Sequence, residues 1–278
     1  MLDIRQCSHP DDAKYLTTDE LRERFLIENL FVEDEIKMVY SHYDRYIIGG
    51  CIPVKKTLKL EEPELKTEYF LERRELAFLN TGGGKAVVTV EGKKYVLNNK
   101  DALYVGKGNK DVTVASEDAA NPCQLYFVSC TAHMAYPTVL IDITKATPAH
   151  MGDKANCNER TIYKYIHADG IAKSCQLMLG VTILEKGSIW NTMPVHTHDR
   201  RMEAYLYFDL GADDVVFHLM GEPTETRHLV MKDHEAVISP TWSIHSAAGT
   251  SNYAFCWAMA GENYTFTDQD FIKPVDMK

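Results

Sequence analysis

The feature that most limits the fold of this chain is a succession of short strand-like segments separated by turn residues. IKMVYSHYDRYIIGG, GKAVVTVEGKKYVL, DALYVGKG and CQLYFVSC follow one another between residues 36 and 130, and a second series begins near Cys175. Each is rich in Val, Ile, Tyr or Phe, which suit a pleated surface, and is bounded by Gly, Asn or Asp, which suit tight turns. Such spacing predicts an all-β sandwich or barrel. At 278 residues the chain has room for one large or two ordinary domains.

The series repeats. Asp101-Ala-Leu-Tyr-Val-Gly-Lys-Gly can be laid on Glu235-Ala-Val-Ile-Ser-Pro-Thr-Trp, and Glu72-Arg-Arg-Glu75 on Asp199-Arg-Arg-Met-Glu203, each followed by a strand, a Gly-containing turn and another strand. We therefore expect a duplicated β domain, residues 1–145 and 146–278. Periodicity fades across the Pro-, Thr- and charge-rich stretch Tyr136 to Arg160, which places the boundary there. The clearest helix signal is at the start. Thr17-Thr18-Asp19-Glu20 offers a capping box, and Leu21, Phe25 and Leu26 form an apolar stripe fit to cover an edge or a partner.

Charge and composition exclude several classes. With 40 Asp+Glu against 30 Lys+Arg the formal net charge is −10, and no basic run is present to displace counterions from a phosphate backbone, so nucleic acid is not an expected partner. No apolar run approaches the roughly 20 residues of a membrane span, and the N-terminus carries acids without an apolar core, so a cytoplasmic protein is expected. Seven cysteines without a C-x-x-C pair argue against a disulfide framework and against a thiolate zinc site.

The chemistry concentrates in Asn191-Thr-Met-Pro-Val-His196-Thr-His198-Asp-Arg-Arg-Met-Glu203 and, later, Ser239-Pro-Thr-Trp-Ser-Ile-His245. Two histidines one residue apart project to the same side of an extended chain. Glu203 opens the next strand, and His245 would arrive from a distant one. Three imidazoles and one carboxylate suit Zn, Fe, Mn, Co or Ni, with water or substrate completing the coordination. Parity puts Tyr205 and Tyr207 on the face of Glu203, where their phenols could meet substrate or serve as barrel lining. Arg200 and Arg201 beside the ligands, with Arg160 and Lys164 upstream, are candidates for a substrate carboxylate. Trp190 and Trp242 flank the two motifs.

This pattern resembles the cupin signature, in which a small antiparallel barrel holds a metal near its open end. The resemblance implies a mainly β fold of two cupin-type jelly-roll domains, a bicupin, with a short N-terminal helix. Trp242 stands where the second cupin motif expects glycine. In the first half, Tyr69, Leu71, Leu76 and Asp111 fall at the positions of His196, His198, Glu203 and His245. That half reads as a cupin-like domain without metal ligands, the other reading being a second ligand site.

Both halves also carry blocks similar to the 5-keto-4-deoxyuronate isomerase family: Tyr69-Phe-Leu-Glu-Arg-Arg-Glu, Asp101-Ala-Leu-Tyr-Val-Gly-Lys-Gly, Asn191-Thr-Met-Pro, His196-Thr-His-Asp-Arg-Arg-Met-Glu, Glu225-Thr-Arg-His and Ile238-Ser-Pro-Thr-Trp-Ser-Ile-His. The resemblance implies one Zn²⁺ per subunit on His196, His198, Glu203 and His245, and a homohexamer. It also implies a uronate substrate, isomerised to 3-deoxy-D-glycero-2,5-hexodiulosonate in pectin breakdown. In that chemistry a metal acidifies a C–H next to a carbonyl and a base moves the proton through a cis-enediol. A tyrosinate, a metal-bound hydroxide or Glu262 are the candidate bases. An iron-dependent cupin dioxygenase and a non-catalytic sugar-binding cupin are the rival readings.

Overall fold

The computed structural model describes residues 2–278. The chain forms two compact units. Among the described residues one comprises 2–5, 29–147 and 164–179, the other 6–28, 148–163 and 180–278. Among the described residues no helix is long and apolar enough to cross a membrane.

In the first unit a seven-stranded sheet runs in the order Asp3–Arg5, Ile36–Ser41, Tyr46–Cys51, Leu125–Thr131, Arg74–Asn80, Ala102–Val105, Val139–Ile141, and a four-stranded sheet runs Leu58–Lys59, Val112–Ser116, Ala86–Val90, Lys93–Leu97. Alternating apolar positions explain the pairing of layers. Ala86, Val88 and Val90 turn one way from the smaller sheet and pack into one core with Leu76, Phe78, Leu103, Val105, Leu125 and Phe127 of the larger. Leu71 and Leu76 lie in this core.

The second unit repeats that order. Its larger sheet runs Pro148–Met151, Arg160–Ile166, Met178–Leu184, Ala254–Gly261, Arg201–Phe208, Ala236–Ser239, Leu26–Ile27, and its smaller sheet Trp190–Asn191, Ala247–Gly249, Val216–Glu222, Glu225–Met231. The register repeats as well. Leu76 pairs with Val105 in one unit as Glu203 pairs with Ser239 in the other. Arg74–Asn80 and Arg201–Phe208 thus begin at matching arginines, and Ala102–Val105 and Ala236–Ser239 occupy matching places. The duplicated mainly β fold expected from the sequence is present.

The helix forms at Thr18–Phe25 with the expected capping box, the Thr17 side chain accepting from the Glu20 N–H and the Glu20 side chain from the Thr17 N–H. Its apolar stripe buries Leu21 and Phe25. The chain then runs straight into Leu26–Ile27, which pairs with Ala236–Ser239 and so closes the outer edge of the larger sheet. An otherwise bare row of backbone donors and acceptors is thereby covered.

Candidate metal centre

Three segments of the second unit deliver the four candidate ligands. His196–Thr197 is a two-residue strand paired with Asp270–Phe271, and His198 follows it on the same side. Glu203 is the third residue of Arg201–Phe208. His245 precedes Ala247–Gly249, after a turn in which Ser243 N–H donates to the Pro240 carbonyl. All four residues are buried. Nitrogens of the three histidines lie within 4.8 Å of one another.

The contacts converge on one point. His196 Nε2 is 3.1 Å from His245 Nε2, and Glu203 Oε2 is 3.0 Å from His198 Nε2 and 3.2 Å from His245 Nε2. Behind them, His198 Nδ1 meets the Arg201 carbonyl at 2.8 Å and His196 Nδ1 the Pro194 carbonyl at 3.3 Å. A carbonyl only accepts, so both Nδ1 atoms carry hydrogen and both neutral rings present a bare lone pair at Nε2. The His198 lone pair therefore faces a carboxylate oxygen, acceptor to acceptor. Only a proton or a metal cation relieves that arrangement. At the two neighbouring rings burial works against a proton: desolvation pushes the His196 imidazole down to about 4 and the His245 imidazole well below its ordinary value. Buried neutral imidazoles plus a carboxylate at these distances fit a borderline divalent metal.

The comparisons with known proteins agree on what this framework is. The KduI/IolB family matches over residues 25–273. A "4-deoxy-L-threo-5-hexosulose-uronate ketol-isomerase" of Halalkalibacterium halodurans is 56% identical over 278 residues, covering 100% of both chains. The chain belongs to the KduI/IolB family. Solved structures extend the likeness of fold. An IolB-like protein of Salmonella typhimurium superposes with a TM-score of 0.68 at 13% identity, covering 89% of this chain and 96% of that one. Lactobacillus farciminis oxalate decarboxylase superposes with a TM-score of 0.57 at 10% identity, covering 85% and 83%.

Around the four candidate ligands, this member of the KduI/IolB family places the other expected residues unequally. Tyr205 points inward, its ring 5.5 Å from that of His245 and its hydroxyl 2.9 Å from Thr192 Oγ1. The Tyr207 hydroxyl lies 2.8 Å from His218 Nδ1. Burial holds both phenols well above their ordinary value, so both carry their protons at neutral pH. The Arg201 guanidinium is gripped by the Asp268 carboxylate at 2.8 Å. Arg160 is buried and donates to the backbone carbonyls of Asn158 and Met193, at 2.8 and 3.2 Å, which ties the loop leading to His196. Lys164 lies on the strand Arg160–Ile166, its ammonium 3.6 Å from Asp169. Arg200 is exposed, and its carbonyl accepts from the N–H of the exposed Glu262 at 2.7 Å. Trp242 packs edge-on against Phe25 of the helix, with ring centres 6.2 Å apart.

Three residues near the centre were not anticipated. Gln269 brings its side-chain nitrogen to 3.0 Å from His196 Nε2, and the Phe271 ring stands 5.8 Å from the His196 ring. Both come from the stretch after Gly261, whose sequence carries no periodic signal. His218 had a signal: in Val216–Glu222 the positions of Val216, His218 and Met220 are buried while Phe217 is 41% exposed. A histidine at an inward position of an alternating strand marks an interior polar group.

Proposed function

We propose that this chain is a metal-dependent ketol-isomerase of 4-deoxy-L-threo-5-hexosulose-uronate, also called 5-keto-4-deoxyuronate. The product is 3-deoxy-D-glycero-2,5-hexodiulosonate, and the reaction serves pectin and polyuronide catabolism. The observation that carries the proposal is the 56% identity, over the whole of both chains, to the Halalkalibacterium halodurans enzyme of that name. The convergence of His196, His198, Glu203 and His245 supports it, because the reaction exchanges a carbonyl with a neighbouring hydroxyl. Vicinal oxygens are natural occupants of the open positions of a four-ligand site.

When bound, one Zn²⁺ per subunit would act as a Lewis acid on those oxygens and acidify the C–H beside the carbonyl. Glu203 is engaged with the histidines, which leaves the proton to another group. Tyr205 and Tyr207 hold their protons, so they serve as donors to an oxygen gaining charge rather than as bases. Glu262 lies directly across from Arg200 on the loop that carries His198 and is the carboxylate suited to the base role. Arg200, exposed on that loop, is the cation suited to the substrate carboxylate, since the guanidiniums of Arg160 and Arg201 are held by protein acceptors. By chain order residues 1–145 would form the cupin-like domain without metal ligands and 146–278 the metal-binding one, except that 6–28 fold with the second compact unit and 164–179 with the first. Homohexamer assembly and a cytoplasmic location belong to the same proposal. The seven cysteines are free, as a reducing compartment keeps them.

The test is to follow the uronate by NMR in D₂O with the purified protein, before and after chelation. We expect isomerisation that stops on chelation, returns with Zn²⁺, and places deuterium at the carbon that receives the proton. Absence of turnover by metal-loaded protein would refute the isomerase reading. Oxygen uptake by the iron-loaded protein would favour the dioxygenase reading instead.

A further inference from the structure

The interior of the second unit holds two buried ring nitrogens without hydrogen-bond partners among the described residues, His245 Nδ1 and His218 Nε2, with the Asn191 amide beside them. They are neighbours by register. Asn191 and His218 each pair with Ala247, from opposite sides, so the three form one row across the smaller sheet with side chains on one face. Adjacent strands are about 4.8 Å apart, so Asn191 and His218 stand on either side of the small Ala247 methyl. His245 lies two residues before Ala247 and is directed to the same face. The Tyr205 ring stands 5.5 Å from the His245 ring and 6.0 Å from the His218 ring. From the larger sheet the Tyr207 hydroxyl reaches the same row, 2.8 Å from His218 Nδ1.

Taken with the metal reading above, the second surroundings of the three histidines are unequal. His196 and His198 give their Nδ1 hydrogens to backbone carbonyls. His245, coordinating through Nε2, has no such acceptor in the protein. A ligating imidazole almost always donates its other N–H, which fixes the ring and strengthens the ligand. We propose that one water molecule lies over Ala247 and joins His245 Nδ1–H to His218 Nε2, making His218 a positioning residue for the metal ligand His245. The relay requires the His218 tautomer in which Nδ1–H donates to the Tyr207 oxygen, so that Nε2 accepts. Asn191, which adjoins the Tyr207 hydroxyl, supplies the water with a further partner. A buried water needs two to four polar partners, and this row supplies them. Desolvation holds His218 down at about 3, so it is an unprotonated acceptor at neutral pH.

The experiment measures zinc affinity by competition with a chromophoric chelator, on the full chain, with folding checked by circular dichroism. His218→Phe removes the acceptor while keeping the site apolar and filled, and should weaken zinc about 10- to 100-fold, the usual cost of losing such a partner. His218→Gln restores an acceptor and should recover part of the loss. Affinity in His218→Phe within about twofold of the unaltered protein would overturn the relay. Should His218→Phe fail to fold, Tyr207→Phe and His218→Gln decide. A fall in zinc affinity in Tyr207→Phe supports the relay, and unchanged affinity in both overturns it. Failure of the unaltered protein to bind zinc overturns the metal reading itself, whereas equal tight binding by all variants removes only the relay.

Discussion

Replacing Asp268 with Asn should destabilise the metal-free protein by about 3–5 kcal/mol, the usual cost of stripping one partner from a buried ion pair. The Arg201 side chain is 1% exposed and that of Asp268 12%. Arg201 Nε donates to the two carboxylate oxygens at 3.2 and 3.0 Å, and Nη2 donates at 2.8 Å. The other neighbours of the guanidinium, the Phe266 ring at 5.5 Å and the Met259 sulfur, carry no charge to replace the carboxylate. Two unit charges about 4 Å apart attract by about 4 kcal/mol at an effective dielectric of 20, which agrees with the range. At about 2–4 °C per kcal/mol for a unit of this size, the midpoint should fall by about 6–20 °C. Melting must be followed without metal, because a bound ion adds its own stabilisation. The double variant Arg201→Met, Asp268→Leu should regain most of the loss, since no charge is then left buried. A midpoint for Asp268→Asn within about 2 °C of the unaltered protein would refute the reasoning. The pair has a pH limit too. Burial acts to raise the Asp268 carboxyl, but Arg201 outweighs it and holds the group below the usual carboxylate range. Its contribution is present above about pH 4 and is lost as pH falls through the lowered value.

Two further predictions concern the centre itself. His198→Ala or Glu203→Ala should abolish tight zinc binding and lower isomerase turnover by at least about a thousandfold, because the ion is the proposed acid for the carbonyl; metal analysis beside a turnover assay checks both, and a metal-free variant with full activity would sink the site. Burial lowers His218 to about 3 from an ordinary 6.5, so the unfolded chain binds the proton more readily between those values. Stability of the metal-free protein should therefore drop as pH falls below about 6.5, by about 2 kcal/mol at pH 5 from this residue. Urea titrations at both pH values should show a smaller drop in His218→Phe, and an equal drop in both proteins would contradict the assignment.

The parts legible in sequence were those fixed by short-range periodicity. The matching arginines at Arg74 and Arg201, and the match of Ala102–Val105 with Ala236–Ser239, reappear as identical register because a one-residue slip would turn every inward side chain outward. The capping box was equally legible, being local. Illegible features depend on partners far along the chain. Leu26 and Ile27 pair across about 210 residues with Val237 and Ala236, and nothing in their sequence names that edge. Arg201 looked like a cation for substrate, whereas its carboxylate partner arrives from Asp268 in an irregular tail. The same tail delivers Gln269 to His196, so the rim of the centre lies where periodicity is silent.

The duplicated register also shows what the second unit gives up to hold its site. At the position of Glu203 the first unit has Leu76, and at that of His198 it has Leu71, both part of a continuous apolar core. The second unit sets a carboxylate and imidazoles in equally buried places, where polar groups are costly unless paired. Acceptors face one another there at about 3 Å. Those costs disappear when a cation sits among them, so metal binding and folding of this unit are the same free energy counted once. The first unit, filled with leucine, gains nothing from the ion. Zinc should therefore raise the melting of the second unit selectively, with the first unit melting at the same temperature in either state.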